Sequence, residues 1–194
     1  MLIHNSDTPD RATLKVKNHL KKTATGNNRE MRFFSISSID MQTHTVSSRM
    51  VVLRKFYPDW TVRFYTDNRT KKVSEIEQCP KVSLLFWDPT ENLQVRLKAE
   101  AIIHNRDEPA LKEWTEINKE SRKQYTSILK PGTVIPAPEK AFNWPENYHS
   151  DYFSVVDCTP FDIEILQLNS LEHLSLKFSR INKDSEWKGG WIVP

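Results

Sequence analysis

The sequence predicts a mainly β domain: an antiparallel barrel with one helix near its N-terminal end and a helical insertion later in the chain. Three observations lead there. Apolar and polar residues alternate with a period of two through a series of short segments, the pattern of half-buried strands. The segments follow one another as a meander and do not alternate with helices, which argues against a parallel sheet. Closing such a meander, fully or in part, removes unpaired strand edges. The 194 residues suit one domain spanning 1–194.

Thr8-Pro9 opens the first helix, over about 9–22, because threonine before the helix and proline in its first turn are start signals. Leu14, Val16 and Leu20 supply its apolar face, Lys15, Lys17, Lys21 and Lys22 its solvated face, and Gly26-Asn27-Asn28 ends it. Phe33 to Ile39 reads as a strand, Asp40 to Thr43 as a turn, and Arg49 to Arg54 as the second strand. Pro58-Asp59 breaks the chain before a third strand, Trp60 to Thr66. Thr70 to Gln78 fits a short helix with Val73, Ile76 and Cys79 on one face, closed by Pro80. Val82 to Trp87 is a compact apolar strand. In Leu93 to Ile103, Leu93, Val95, Leu97, Ala99, Ala101 and Ile103 share one face. Gln94, Arg96, Lys98 and Glu100 share the other, so Gln94 is expected to point away from the core. The helical insertion covers about 107–128, with Leu111, Trp114 and Ile117 apolar. Four prolines between Pro131 and Pro145 make a loop. Tyr152 to Val156, Phe161 to Leu168 and Leu174 to Ile181 are late strands, and Trp187 to Val193 finishes the sheet.

Composition narrows the function. Hydrophobic residues make up 38% and charged residues 27%, the balance of a folded, soluble chain. The 28 basic and 25 acidic side chains leave a net charge of +3. That bias is too mild for a dedicated nucleic-acid binder without a reading motif, and it suits a site for a small phosphate-bearing ligand. Cys79 and Cys158 form no CxxC and read as reduced core thiols of a cytoplasmic protein. Neither a signal peptide nor a membrane span is expected. The four glycines, Gly26, Gly132, Gly189 and Gly190, cannot write GxGxxG or GxxxxGK, which argues against a Rossmann dinucleotide site and a P-loop. The six histidines form no HExxH, so no zinc site is expected, and there is no GxSxG elbow.

The feature that carries chemistry is Arg69-Thr70-Lys71-Lys72 at the start of the short helix. A helix N-terminus is a positive dipole end, where each added cation is unfavourable by roughly 0.3–1 kcal/mol. Thr70 is available to cap free N–H groups, and a bound anion would accept those groups and the lysine charges together. A solvated basic turn is the plainer alternative. Arg49 and Arg54 bracket the apolar run Met50-Val51-Val52-Leu53, and arginine suits forked bonding to phosphate. Tyr65-Thr66 lies just upstream, with a ring to pack on a planar ligand and a hydroxyl to donate.

This order resembles the pyridoxamine 5′-phosphate oxidase family. Ser48 to Arg54 is similar to its R-x-V-x-L-K/R strand. Phe64-Tyr65-Thr66-Asp67-Asn68-Arg69-Thr70-Lys71-Lys72 is similar to F-Y-T-N/D…S/T-R/K-K. Pro80 to Phe86 followed by Gln94-Val95-Arg96 is similar to the third block, and Trp187 with Pro194 to the terminal W-x6-P. The resemblance implies a homodimeric split β-barrel with flavin mononucleotide (FMN) at the subunit interface. It implies that Arg49, Tyr65, Thr66, Lys71 and Lys72 surround the FMN phosphate. Arg49, Met50, Val51, Val52, Leu53 and Arg54 would line the flavin, and Gln94 would bond the polar edge of the isoalloxazine. Arg54 is the candidate at the reacting face, its family counterpart being a lysine that touches FMN and substrate.

The substrate half of the family pattern departs. The Tyr, Arg and Ser that hold the substrate phosphate fall at Glu113, Ile117 and Ser121, so only Ser121 is retained. The R-x-H-x-R element becomes His173-Leu174-Ser175-Leu176-Lys177, a flavin-contacting Trp becomes Leu166, and a Gln-Ser pair has no counterpart near Lys130-Pro131. The expectation is therefore an FMN-binding oxidoreductase of unassigned small-molecule substrate, with His173 a plain strand histidine. The alternatives are genuine pyridoxamine 5′-phosphate oxidation, or a non-catalytic barrel binding flavin, haem or deazaflavin.

Overall fold

The computed structural model describes residues 1–26, 30–170 and 172–194. Asn27 and Asn28, expected to end the first helix, lie outside them. Helix α1 (Pro9–Ala24) begins where the sequence indicates: Thr8 Oγ1 accepts the N–H of Arg11, and proline occupies the first turn. Ala12, Val16 and Leu20 face the core, but Leu14 is exposed. Two residues from both Ala12 and Val16, it lies about 200° around the helix from them.

Among the described residues nine strands build one antiparallel sheet. They are β1 (Phe33–Asp40), β2 (Thr45–Val52), β3 (Lys55–Phe56), β4 (Val62–Asp67), β5 (Lys81–Asp88), β6 (Leu93–Asn105), β7 (Phe153–Gln167), β8 (Leu174–Ser179) and β9 (Lys188–Ile192). Their order is β2-β1-β5-β6-β7-β4-β3, with β8 beside β7 and β9 beside β8. The barrel closes where β2 ends. β2 pairs with β1 as far as Val52, the N–H of Leu53 donates to the Arg32 carbonyl at 2.8 Å, and the N–H of Arg54 turns to Arg63 of β4 at 2.9 Å. The split lies along β7: its first half pairs with β4, its second half with β8, and its other edge with β6 throughout.

Several element boundaries differ from the sequence reading. β2 covers Thr45–Val52 rather than Arg49 to Arg54, and β4 starts at Val62, leaving Trp60 in the preceding turn with φ 73°. The strands expected at Tyr152 to Val156 and Phe161 to Leu168 are one. The register slips between Lys98 and Ala99, opposite Pro160 to Asp162, and this bulge accommodates a proline that has no N–H for the ladder. β6 runs on to Asn105, and Ile103 is only half-buried. The helical insertion is two short helices, α3 (Glu108–Glu116) and α4 (Lys119–Lys123). Ile117 is extended, and the side chain of Asn118 accepts the N–H of Ser121, restarting the helix. His173 precedes β8 rather than lying in it, and accepts the N–H of Asn169 on Nδ1. Cys158 is in the core while Cys79 is half-buried; both are free.

The barrel interior is aromatic and aliphatic. Phe34 stacks on Phe86 at 4.5 Å and meets Phe64 edge-on at 6.1 Å, with Ile36, Leu84, Leu97 and Ile165 around them. A second, smaller cluster of Ala110, Tyr125, Phe153 and Val155 seats α3 on the sheet. Among the described residues no helix is long and apolar enough to cross a membrane.

Candidate functional site

Helix α2 (Lys71–Gln78) leaves β4 through the turn at Asn68-Arg69-Thr70. Its first turn holds no acidic residue, and no side chain caps it. Thr70, expected to cap, instead donates its hydroxyl to the Asp67 carbonyl at 2.8 Å. The N–H groups of Lys71 and Lys72 find no acceptor among the described residues.

Three cations meet at this turn. Arg49 shares the inward face of β2 with Val51 and Leu53. Its Nη1 donates to Ser38 Oγ at 2.5 Å and its Nη2 to Glu75 Oε2 at 2.8 Å, while Ser38 donates to the same Glu75 oxygen at 2.6 Å. Lys71 pairs with Asp40 at 2.9 Å and approaches the other Glu75 oxygen at 3.9 Å. That lysine, with the N–H groups of Gln42 and Thr43, holds the Asp40 carboxyl well below the usual carboxylate range. Lys72 donates to the hydroxyls of Thr66 at 2.9 Å and Thr70 at 3.3 Å, and forms no ion pair among the described residues. Burial, and then the charge of Arg49, lower its pKa below the ordinary lysine value, with Asp67 and Glu75 opposing. Three cations against the carboxylates of Asp40 and Glu75 leave a positive surplus, concentrated on the half-buried Lys72. An uncapped helix start, two hydroxyls and an unpaired ammonium form a donor set that fits a phosphate.

Arg69 shapes the adjoining cleft. It pairs with Asp67 at 2.7 Å, donates to the carbonyls of Ser127 at 2.7 Å and Ile128 at 3.3 Å, and lies 3.5 Å over the ring of Tyr152. It thereby ties both ends of the proline-rich loop to the start of α2. Between them is a cleft of about 570 Å³ lined by Lys71, Ser74, Lys130, Gly132 and Thr133 among others.

Tyr65 belongs to a different group. Successive β-strand side chains point to opposite faces, so Thr66 joins the cations and Tyr65 turns to α3. Its hydroxyl donates to Glu113, which is fully buried and also accepts from Lys55 at 2.6 Å and Arg63 at 2.5 Å. Arg63 pairs in addition with Asp157 at 2.6 Å. Burial, and then Glu113, push the Tyr65 phenol far above its usual value. Burial raises the Glu113 carboxyl, but Lys55, Tyr65 and Arg63 outweigh it and bring the carboxyl below its usual value. Arg54 stands over the Tyr65 ring at 5.2 Å and reaches the Tyr125 hydroxyl at 3.4 Å. Its Nε is buried with no hydrogen-bond partner among the described residues.

The remaining predicted residues lie apart from both groups. Val51 and Leu53 are buried in the core, while Met50 and Val52 face outward. Gln94 is on the outward face of β6, between Trp87 of β5 and Leu166 of β7. Ser121 sits in α4, where its N–H is held by Asn118 at 2.8 Å. Glu75, Ser38 and Asp40, and the Glu113–Lys55–Arg63 group, were not singled out as site residues by sequence. Glu75 had a local signal, standing four residues after Lys71 on one helix. Lys55 and Arg63 meet Glu113 across 58 and 50 residues, with nothing local to mark them.

Residues 13–105, from α1 to the end of β6, match the family model of the pyridoxamine 5′-phosphate oxidase FMN-binding domain. A search of the curated proteins finds no match. Among solved structures, a pyridoxamine 5′-phosphate oxidase-related, FMN-binding protein of Nostoc punctiforme superposes with TM-score 0.78 at 21% identity, covering 97% of this chain and 100% of that one. PhzG of Burkholderia lata, solved with tetrahydrophenazine-1-carboxylic acid, gives 0.73 at 18% identity, covering 98% and 95%. A putative pyridoxamine 5′-phosphate oxidase of Listeria innocua gives 0.51 at 13% identity, covering 77% and 97%. Residues 13–105 thus match an FMN-binding domain of the pyridoxamine 5′-phosphate oxidase type, whose cofactor is FMN, and the chain as a whole has the split-barrel fold of these structures.

Proposed function

We propose that this protein is an FMN-dependent oxidoreductase whose substrate is not pyridoxamine 5′-phosphate. The observation that carries the reading is the positive surplus at the start of α2, where Lys72 is bonded, among the described residues, only to hydroxyls. Arg49, Thr66, Lys71 and Lys72 hold the FMN phosphate in this reading. Gln94 bonds the polar edge of the ring system, and the strand from Met50 to Leu53 runs beside it. Bound FMN supplies two-electron acceptance. Arg54, with its unpartnered Nε, presents positive charge near the reacting face. Glu113 holds the Tyr65 hydroxyl in a fixed direction and packs that wall of the site.

The same reading makes the protein a homodimer. The outward face of β2, β1 and β5 exposes Val46, Met50, Phe33, Leu85 and Trp87, with Gln94 beside them. Exposed apolar side chains gathered on one sheet face mark an interaction site, and a second copy would cover them together with the flavin. The substrate assignment follows from Glu113. It stands where the family's substrate tyrosine falls, and an anion there would meet a buried carboxylate already committed to Lys55 and Arg63.

The test is the spectrum of the purified protein, followed by anaerobic mixing with pyridoxamine 5′-phosphate. Oxidised-flavin bands that the amine leaves unbleached are expected. A haem-type Soret band would overturn the cofactor role, and rapid bleaching the substrate assignment.

A further inference from the structure

A second cavity, of about 300 Å³, lies between α1 and the sheet, and none of the residues assigned to the flavin lines it. Its walls are Leu14 and Lys17 of α1, Trp60 of the β3–β4 turn, Ile163 of β7, Phe178 of β8 and Trp187 just before β9. Three features of these residues point to a ligand.

Trp60 is held at φ 73°, a left-handed conformation that a bulky aromatic residue adopts only under constraint. Its N–H donates to the Tyr57 carbonyl at 3.0 Å, the Tyr57 N–H donates to Thr61 at 2.9 Å, and Phe56 packs against its indole edge-on at 5.7 Å. The constrained turn makes the indole a wall of the cavity. Lys17 places its ammonium 5.6 Å from the centre of that indole, half-buried, with no hydrogen bond or ion pair among the described residues. Burial lowers its pKa, and Asp59 offsets this only in part. Trp187 forms another wall, steadied by the Arg180 guanidinium 4.5 Å from its ring centre, which is itself fixed by the carbonyls of Pro160 and Lys183. Two indoles, an apolar floor and one unpaired cation make a mostly apolar site with a single orienting charge.

We propose that this cavity binds a planar aromatic monocarboxylate, its ring against Trp60 and Trp187 and its carboxylate on Lys17. The volume admits one or two fused rings. The exposed carboxylate of Asp10 at the rim disfavours a second negative charge.

The test uses the FMN-loaded protein, so that the flavin site is filled, and calorimetric titration with 2-naphthoate and its neutral analogue 2-naphthamide. Naphthoate is expected to bind saturably and about tenfold or more tighter than the amide, the contribution of one charge-assisted hydrogen bond. Lys17→Met removes an unpaired cation and keeps the stem, so it should fold normally, retain FMN and erase the preference. Trp187→Leu should weaken both probes. Absence of saturable naphthoate binding in the millimolar range would overturn the proposal. So would a preference for naphthoate that survives Lys17→Met, or affinities for both probes that Trp187→Leu leaves unchanged.

Discussion

Lys72→Met should separate cofactor affinity from apoprotein stability. Among the described residues Lys72 forms no ion pair; it is half-buried, is repelled by Arg49, and donates to the hydroxyls of Thr66 and Thr70. Methionine keeps most of the stem packed. Loss of two hydrogen bonds, about 0.5–1.5 kcal/mol each at neutral partners, is set against relief of desolvation and repulsion. The net effect on apoprotein stability should be within about 1 kcal/mol, or roughly 2–4 °C in Tm for a chain of this size. The FMN phosphate loses a charge-assisted hydrogen bond of about 1.5–3 kcal/mol, so Kd should rise roughly 10- to 150-fold. Quenching of FMN fluorescence measures the affinity, and thermal unfolding of apoprotein measures the stability. The pH dependence has a defined sign. Because the folded pKa of Lys72 lies below 10.5, the unfolded chain binds more protons between the two values. Apoprotein stability contributed by this group therefore rises with pH across that window. FMN affinity falls across the same window as the ammonium is lost, and Lys72→Met should remove that alkaline fall. A Kd within threefold of wild type, or a destabilisation above about 3 kcal/mol by the criterion of a broken buried ion pair, would show that Lys72 serves the fold and not the cofactor.

Glu113→Ala should cost about 3 kcal/mol in urea unfolding, at the low end for a broken buried ion pair because Arg63 keeps Asp157. Glu113→Gln should flatten the acid limb of the stability curve. The lowered carboxyl contributes stability that is complete above its usual range and is lost as pH falls through its folded value; an unchanged acid limb would remove Glu113 from that role. Met50→Glu with Trp87→Glu places two charges on the exposed apolar face of β2 and β5, and sedimentation should then report a monomer that retains FMN poorly. A dimer that survives this double substitution would mean that the subunits meet elsewhere.

The elements that could be read from the sequence are those whose signal is local. In β6 the strict alternation from Leu93 to Ala101 sets the buried face directly, and the outward placement of Gln94 follows. Thr45 to Ser48 gave no such signal. Three of the four residues are polar and the fourth, Val46, is exposed, so their strand identity comes from pairing with Ser37 to Asp40 rather than from burial. The unity of β7 was hidden by Pro160, a strand breaker in isolation, which β6 accommodates through a one-residue slip. The end of α3 at Ile117 depends on whether Asn118 caps a new helix or continues the old one, and its residue type allows both. In the site, the composition of the turn marks Lys71 and Lys72, while Arg49 joins them only through the resemblance to the family. The carboxylates that balance those cations, Glu75 and Asp40, became visible only when β1, β2 and α2 were brought together.

Tyr65 and Thr66 show how one strand divides the chemistry. They are consecutive in β4, so their side chains must diverge. Thr66 reaches Lys72, inside the segment that matches the FMN-binding domain, while Tyr65 reaches Glu113, beyond its end at residue 105. The cation cluster on the first side depends only on β1, β2, β4 and α2, all within the matched segment. The group on the second side depends on α3, which lies outside it, and there a buried carboxylate has drawn in Lys55, Arg63 and the Tyr65 hydroxyl. If the proposed function holds, exchange of α3 residues alters the Tyr65 side of the strand without disturbing the proposed phosphate donors, because no hydrogen bond links Glu113 to Arg49, Lys71 or Lys72 among the described residues. On this account, substitutions at Glu113 should change substrate behaviour and acid stability while leaving FMN affinity close to wild type, and those at Lys72 should do the reverse.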